Sequence, residues 1–81
     1  MSKILRVEGE VNKVYFSSAI VSVECINNDP HGNVYTNIVF SNNESLKVSN
    51  AFEDVLYLLD NSSSEIELGE YDYKFEFSVG H

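Results

Sequence analysis

Over most of this chain the apolar residues fall on every second position, and in one window alone they fall at helical spacing, so a mainly β fold with a single helix is what the pattern allows. Leu5, Val7 and Val11 share one parity against Arg6, Glu8 and Glu10, as in a half-buried strand whose alternate side chains point to opposite faces. Gly9 interrupts the run and predicts a bulge or a bend. Beyond it, either Asn12-Lys13 turns the chain or Val14-Tyr15-Phe16 carries the strand past a kink. Residues 19–26 are rich in Ile and Val, with Val21, Val23 and Cys25 on one face, and read as a central strand. Asn27-Asn28-Asp29-Pro30-His31-Gly32-Asn33 then supplies Asp, Pro and Gly at the first, second and fourth places of a type I turn. Residues 34–40 alternate again with Val34, Thr36, Ile38 and Phe40 on one side, so the two runs predict a hairpin. Ser41-Asn42-Asn43-Glu44 is the next turn, and Leu46 and Val48 mark a short strand after it.

Residues 50–60 hold the helical window. Asn50 suits the N-cap, and Glu53 follows three residues later as in a capping box. Phe52, Val55, Leu56 and Leu59 form the apolar face, with Glu53, Tyr57 and Asp60 opposite and Asp54 flanking them. After the connector Asn61-Ser62-Ser63-Ser64, Ile66 and Leu68 take one parity, whereas Tyr71, Tyr73, Phe75, Phe77 and Val79 take the other. The flip at Gly69-Glu70 predicts a bulge or a tight turn. The expected fold is α+β and mainly β: an antiparallel sheet of five to six strands, with one helix between the third or fourth strand and the last. The helix face is expected to pack on a sheet containing Val21, Val23, Ile38 and Phe75. The same element order suits a small, partly open barrel of the oligonucleotide-binding type.

At 81 residues the chain is expected to be one domain, residues 1–81, with a single core. Cys25 is the only cysteine, which excludes an internal disulfide. The opening Met1-Ser2-Lys3-Ile4-Leu5-Arg6 has no apolar run of a signal peptide behind it. Both features predict a cytoplasmic protein with no membrane partner.

Several function classes lack their residues. Nucleophilic catalysis needs a Ser, Cys or Thr beside a histidine, but His31 sits on a turn and His81 is the final residue. A zinc site needs more Cys and His than two histidines and one cysteine supply. The 27–33 loop offers calcium only one carboxylate. No enzyme activity, metal or cofactor is therefore expected. The ten Tyr and Phe residues could stack on bases, but single-strand binding also needs a positive groove, and there are only five Lys and Arg against 13 Asp and Glu. Direct nucleic-acid binding is not expected.

The net charge of −8 is unevenly spread. Up to Phe40, Lys3, Arg6 and Lys13 face Glu8, Glu10, Glu24 and Asp29, a balance of −1. From Ser41 onward, Lys47 and Lys74 face Glu44, Glu53, Asp54, Asp60, Glu65, Glu67, Glu70, Asp72 and Glu76, a balance of −7. Any one of these carboxylates taken alone only solvates a small protein. Together they make an acidic surface that repels phosphate and attracts basic proteins. Glu70, Asp72 and Glu76 share a strand parity, and residues two apart on a strand are separated by about 6.5–7 Å, comparable to the spacing of phosphates along a nucleic-acid strand. Glu65 and Glu67 add to that region. Glu53, Asp54 and Asp60 surround Tyr57 on the helix, where an exposed aromatic can anchor a partner.

The expected function is that of a non-catalytic acidic binding protein. It would inhibit a nucleic-acid-binding partner by occupying its basic surface through charge mimicry. In composition the chain is similar to phage-encoded anti-defence proteins, which are commonly small, acidic and poor in cysteine. Two other expectations come from the β-rich runs: a self-assembling structural subunit, a homo-oligomer joined at strand edges, and a weak ligand or nucleic-acid binder on a small barrel.

Overall fold

The computed structural model describes residues 2–27, 30, 32–62 and 64–71. The strands are β1 (Ile4–Val7), β2 (Tyr15–Phe16), β3 (Ile20–Ile26), β4 (Tyr35–Phe40), β5 (Ser45–Val48) and β6 (Glu65–Leu68), with a short 3-10 turn at Ser17–Ala19 and one helix, α1 (Phe52–Asn61), between β5 and β6. The α+β, mainly β reading holds, but the strands do not form one antiparallel sheet. Among the described residues they form two three-stranded sheets, ordered β2-β1-β6 and β3-β4-β5. β1 and β6 run parallel, with Leu5 opposite Ile66 and Val7 opposite Leu68. Parity fixes which face a strand buries; it does not fix the neighbour or its direction.

The sheets meet where β6 ends. The Ser49 amide donates to the Gly69 carbonyl at 2.9 Å, and Glu70 forms a single antiparallel bridge with Val48. The parity flip at Gly69-Glu70 is thus neither a bulge nor a hairpin turn: it is the point where the chain leaves one sheet and touches the other. Among the described residues the two ladders meet at this junction and do not close into a barrel.

The β3–β4 hairpin is present, with Val23 opposite Ile38 and Cys25 opposite Thr36. The central strand, however, is β4, while β3 lies at the sheet edge. β4 buries Thr36, Ile38 and Phe40 as its alternation demands, whereas Val34 precedes the strand and is exposed. A register shift between Ile20 and Ser22 throws Val21 out of the ladder, and it is 66% exposed. Val11 also lies outside a strand and in solvent, because Gly9, at φ +93°, turns the chain back and β2 returns antiparallel along β1. The turn at 41–44 places Asn43 at φ 71° and is braced by the Asn42 side chain, whose Oδ1 accepts from the Glu44 amide at 3.1 Å. The Asp29–Gly32 turn and the stripe Tyr73, Phe75, Phe77, Val79 fall on or across positions outside the described residues.

One core serves both sheets. Leu5 of β1, Ile38 and Phe40 of β4, Val48 of β5, Val55 of α1, and Ile66 and Leu68 of β6 form it. Tyr15 stacks on Phe40 at 4.8 Å between ring centroids. α1 inserts Val55 and leans Leu58 and Leu59 on the cluster, while Leu56 lies 42% exposed. The expected face therefore holds for Val55 and Leu59, and for the half-buried Phe52, but not for Leu56.

The helix begins two residues after Asn50, with Ala51 in the cap position and no side-chain cap. Asn50 ties the helix entrance to both sheets. Its Oδ1 accepts from the Gly69 amide at 2.7 Å, and its carbonyl accepts from the hydroxyl of the buried Thr36 at 2.7 Å. This replaces the capping role expected of Asn50.

Candidate acidic interface

Two elements position the described carboxylates. On α1, burial of Val55 turns Glu53, Asp54, Leu56, Tyr57 and Asp60 outward, and all five are exposed. Glu53 and Asp54 stand in the first turn, where the helix dipole favours negative charge. Asp60 stands in the last turn, where it does not. Lys3, arriving from the start of the chain, offsets this by donating from Nζ to the Leu59 carbonyl. Tyr57 is 65% exposed and Leu56 42%, and along the helix surface both lie between Glu53 and Asp60, with Asp54 flanking Tyr57. Among the described residues no Lys or Arg forms an ion pair with any of the three.

On β6, burial of Ile66 and Leu68 turns Glu65 and Glu67 to the outer face of the β2-β1-β6 sheet. Arg6 of β1 lies on the same face, opposite Glu67 in register, and its Nε is 3.4 Å from Glu65 Oε2. The β6 carboxylates are thus partly offset by a cation that comes from distant sequence. Glu70 stands apart at the junction of the sheets, exposed and close to Gly9. Asp72 and Glu76 lie outside the described residues. The sequence-predicted residues therefore fall into two groups and an outlier. The helix group is a compact constellation, and the β6 group is shared with Arg6. Leu56 belongs to the helix constellation and was not read from the sequence, because helical spacing assigned it to the core.

The other ion pair among the described residues lies elsewhere. At the β4–β5 turn, Lys13 Nζ sits 3.3 Å from Glu44 Oε2. Glu44 is held below the usual carboxylate range, first by the amide of Asn42 and then by Lys13, while Lys13 is raised by the same pairing. A groove of about 480 Å³ opens between the β3–β4 hairpin and the start of α1, lined by Cys25, Val34, Thr36, Asn50, Phe52 and Glu53 among others. No group of three or more His, Cys, Asp or Glu residues among those described could hold a metal ion. No helix among them is long and apolar enough to cross a membrane. No protein-family model, curated protein or solved structure matches the chain.

Proposed function

We propose that this chain is a non-catalytic binding protein that sets the outer face of α1 against a basic surface of a partner protein. One observation carries the reading: exposed Leu56 and Tyr57 share the outer face of α1 with Glu53, Asp54 and Asp60, which have no described cation paired to them. Such a patch joins an aromatic anchor to a charged rim, the division of labour common in tight interfaces. The partner class that fits is a nucleic-acid-binding protein. Glu53 and Asp60, seven residues apart on a helix rising 1.5 Å per residue, stand about 10 Å from each other, within the span of two or three phosphates on a strand. Inhibition by standing in for nucleic-acid charge follows, and an anti-defence protein of a phage is one setting for it.

The test uses proteins from source-cell lysate that a nucleic-acid column retains, passed over the immobilised chain. Glu53→Lys with Asp54→Lys should abolish capture, and Glu8→Lys with Glu10→Lys should leave it largely intact. Both pairs change the net charge equally, so the comparison isolates location. Capture should also fall with rising salt, as exposed charges are screened beyond about 8 Å near physiological ionic strength. Equal retention by the two double variants, or indifference to salt, would refute the reading.

A further inference from the structure

Among the described residues β3 has β4 along one edge and neither a strand nor a backbone hydrogen bond along the other. The far edge of the same sheet differs, because β5 receives Glu70 and accepts a bond from the Tyr71 amide. Edge strands that must stay single are ordinarily very short, or guarded by Lys, Pro or an inward-pointing charge. β3 has none of these, and of the further guards that edges use it carries only a bulge. Its seven residues, Ile20–Ile26, include no Lys, Arg or Pro and one carboxylate, Glu24, which accepts from Asn37 Nδ2 at 3.4 Å. Its bulge is confined to one end and leaves residues 22–26 in regular register with β4. Exposed side chains mark both ends of the edge, Val21 at one and Cys25 at the other.

We propose that β3 pairs antiparallel with β3 of a second copy of this chain, joining the two β3-β4-β5 sheets across a twofold axis at Val23. Charge placement favours a second copy as the occupant and excludes an axis at Glu24. A basic peptide gains little at this edge, whose single carboxylate is already engaged by Asn37. A second copy matches it, because an antiparallel pair of identical strands is self-complementary. An axis at Glu24 would set two carboxylates directly opposite each other, which is destabilising. An axis at Val23 sets Glu24 against the partner's Ser22, so each carboxylate meets a hydroxyl, and brings the partner's Cys25 alongside the bulged Val21.

Sedimentation velocity over a range of protein concentrations, at low and high salt, tests this. A dimer is expected, and it should be more populated at high salt, because each copy carries −8 and screening weakens their repulsion. That is the opposite of the salt response expected for the α1 interface, so the two readings can fail separately. Val21→Lys and Cys25→Lys each place a cation on an exposed edge position, and both should lose the dimer while circular dichroism shows the fold retained. Val11→Lys adds the same charge at an exposed position off the strand and should keep it. A monomer under all conditions, a dimer that weakens as salt rises, or a dimer that survives in whichever edge variant folds would overturn the proposal.

Discussion

Leu56 and Leu58 flank the buried stripe of α1 on opposite sides, and only the neighbours decide which of them goes inside. The spacing of Phe52, Val55 and Leu59 draws Leu56 into the face, but β3 and β4 receive the other flank, so Leu58 packs on the core and Leu56 faces solvent. Val55→Ala removes two buried methyl groups and should cost about 2 kcal/mol. Leu56→Ala should cost less than about 1 kcal/mol, as substitutions away from packed sites do. Denaturant titration of both variants checks the order, and a larger loss at Leu56 would show the helix rotated about its axis. Thr36 carries a different kind of residue-scale information. Its buried hydroxyl is the donor to the Asn50 carbonyl, so Thr36→Val keeps the shape, leaves that carbonyl without its partner and should cost roughly 1–3 kcal/mol in the same titration. Neither the pairing of Thr36 with Asn50 nor that of Asn50 with Gly69 could be read from sequence, because each depends on where two distant segments meet.

At the scale of elements, alternation located most strands and left their neighbours open. The run Thr36, Ile38, Phe40 was legible as a buried face because its intervening residues are polar or half-exposed, and the turn at 41–44 was legible from its Asn residues. The richer run at 20–26 looked more central than β4. It lies at an edge because β4 lies between it and β5, a choice made by hairpin order and not by hydrophobicity. The parallel β1–β6 pair was hidden for the same reason. Its consequence reaches the helix, since it brings Lys3 to the carbonyl end of α1. Lys3→Met retains the aliphatic stem and removes the charge. It should destabilise the fold by about 0.5–1 kcal/mol, with the loss shrinking at high salt. Equal stability of the two proteins at low salt would show that the contact contributes nothing.

At the scale of the whole molecule, the described carboxylates of the acidic second half are divided into a helix constellation, a strand pair that Arg6 attends, and the separate Glu44 and Glu70. The division was not legible, because charge counts along a sequence do not say which cation a sheet will bring alongside. Tyr57→Ala should weaken partner binding by roughly thirtyfold or more, the loss of about 2 kcal/mol expected of an interfacial hot spot. Glu67→Gln should change binding little, as it lies beside Arg6 on another element. Isothermal titration with a captured partner would separate them. The parallel pairing of Ile4 with Glu65 also orders events in time. During synthesis, at ~5–20 residues per second, β1 emerges from the ribosome several seconds before the strand that covers it. The hairpin of β3 and β4 can close within that interval, but Leu5 and Val7 have no parallel neighbour until Ile66 and Leu68 arrive. Until then the first strand has only β2 along one of its edges, and a ribosome stalled before Glu65 would hold a half-sheet that a chaperone could recognise.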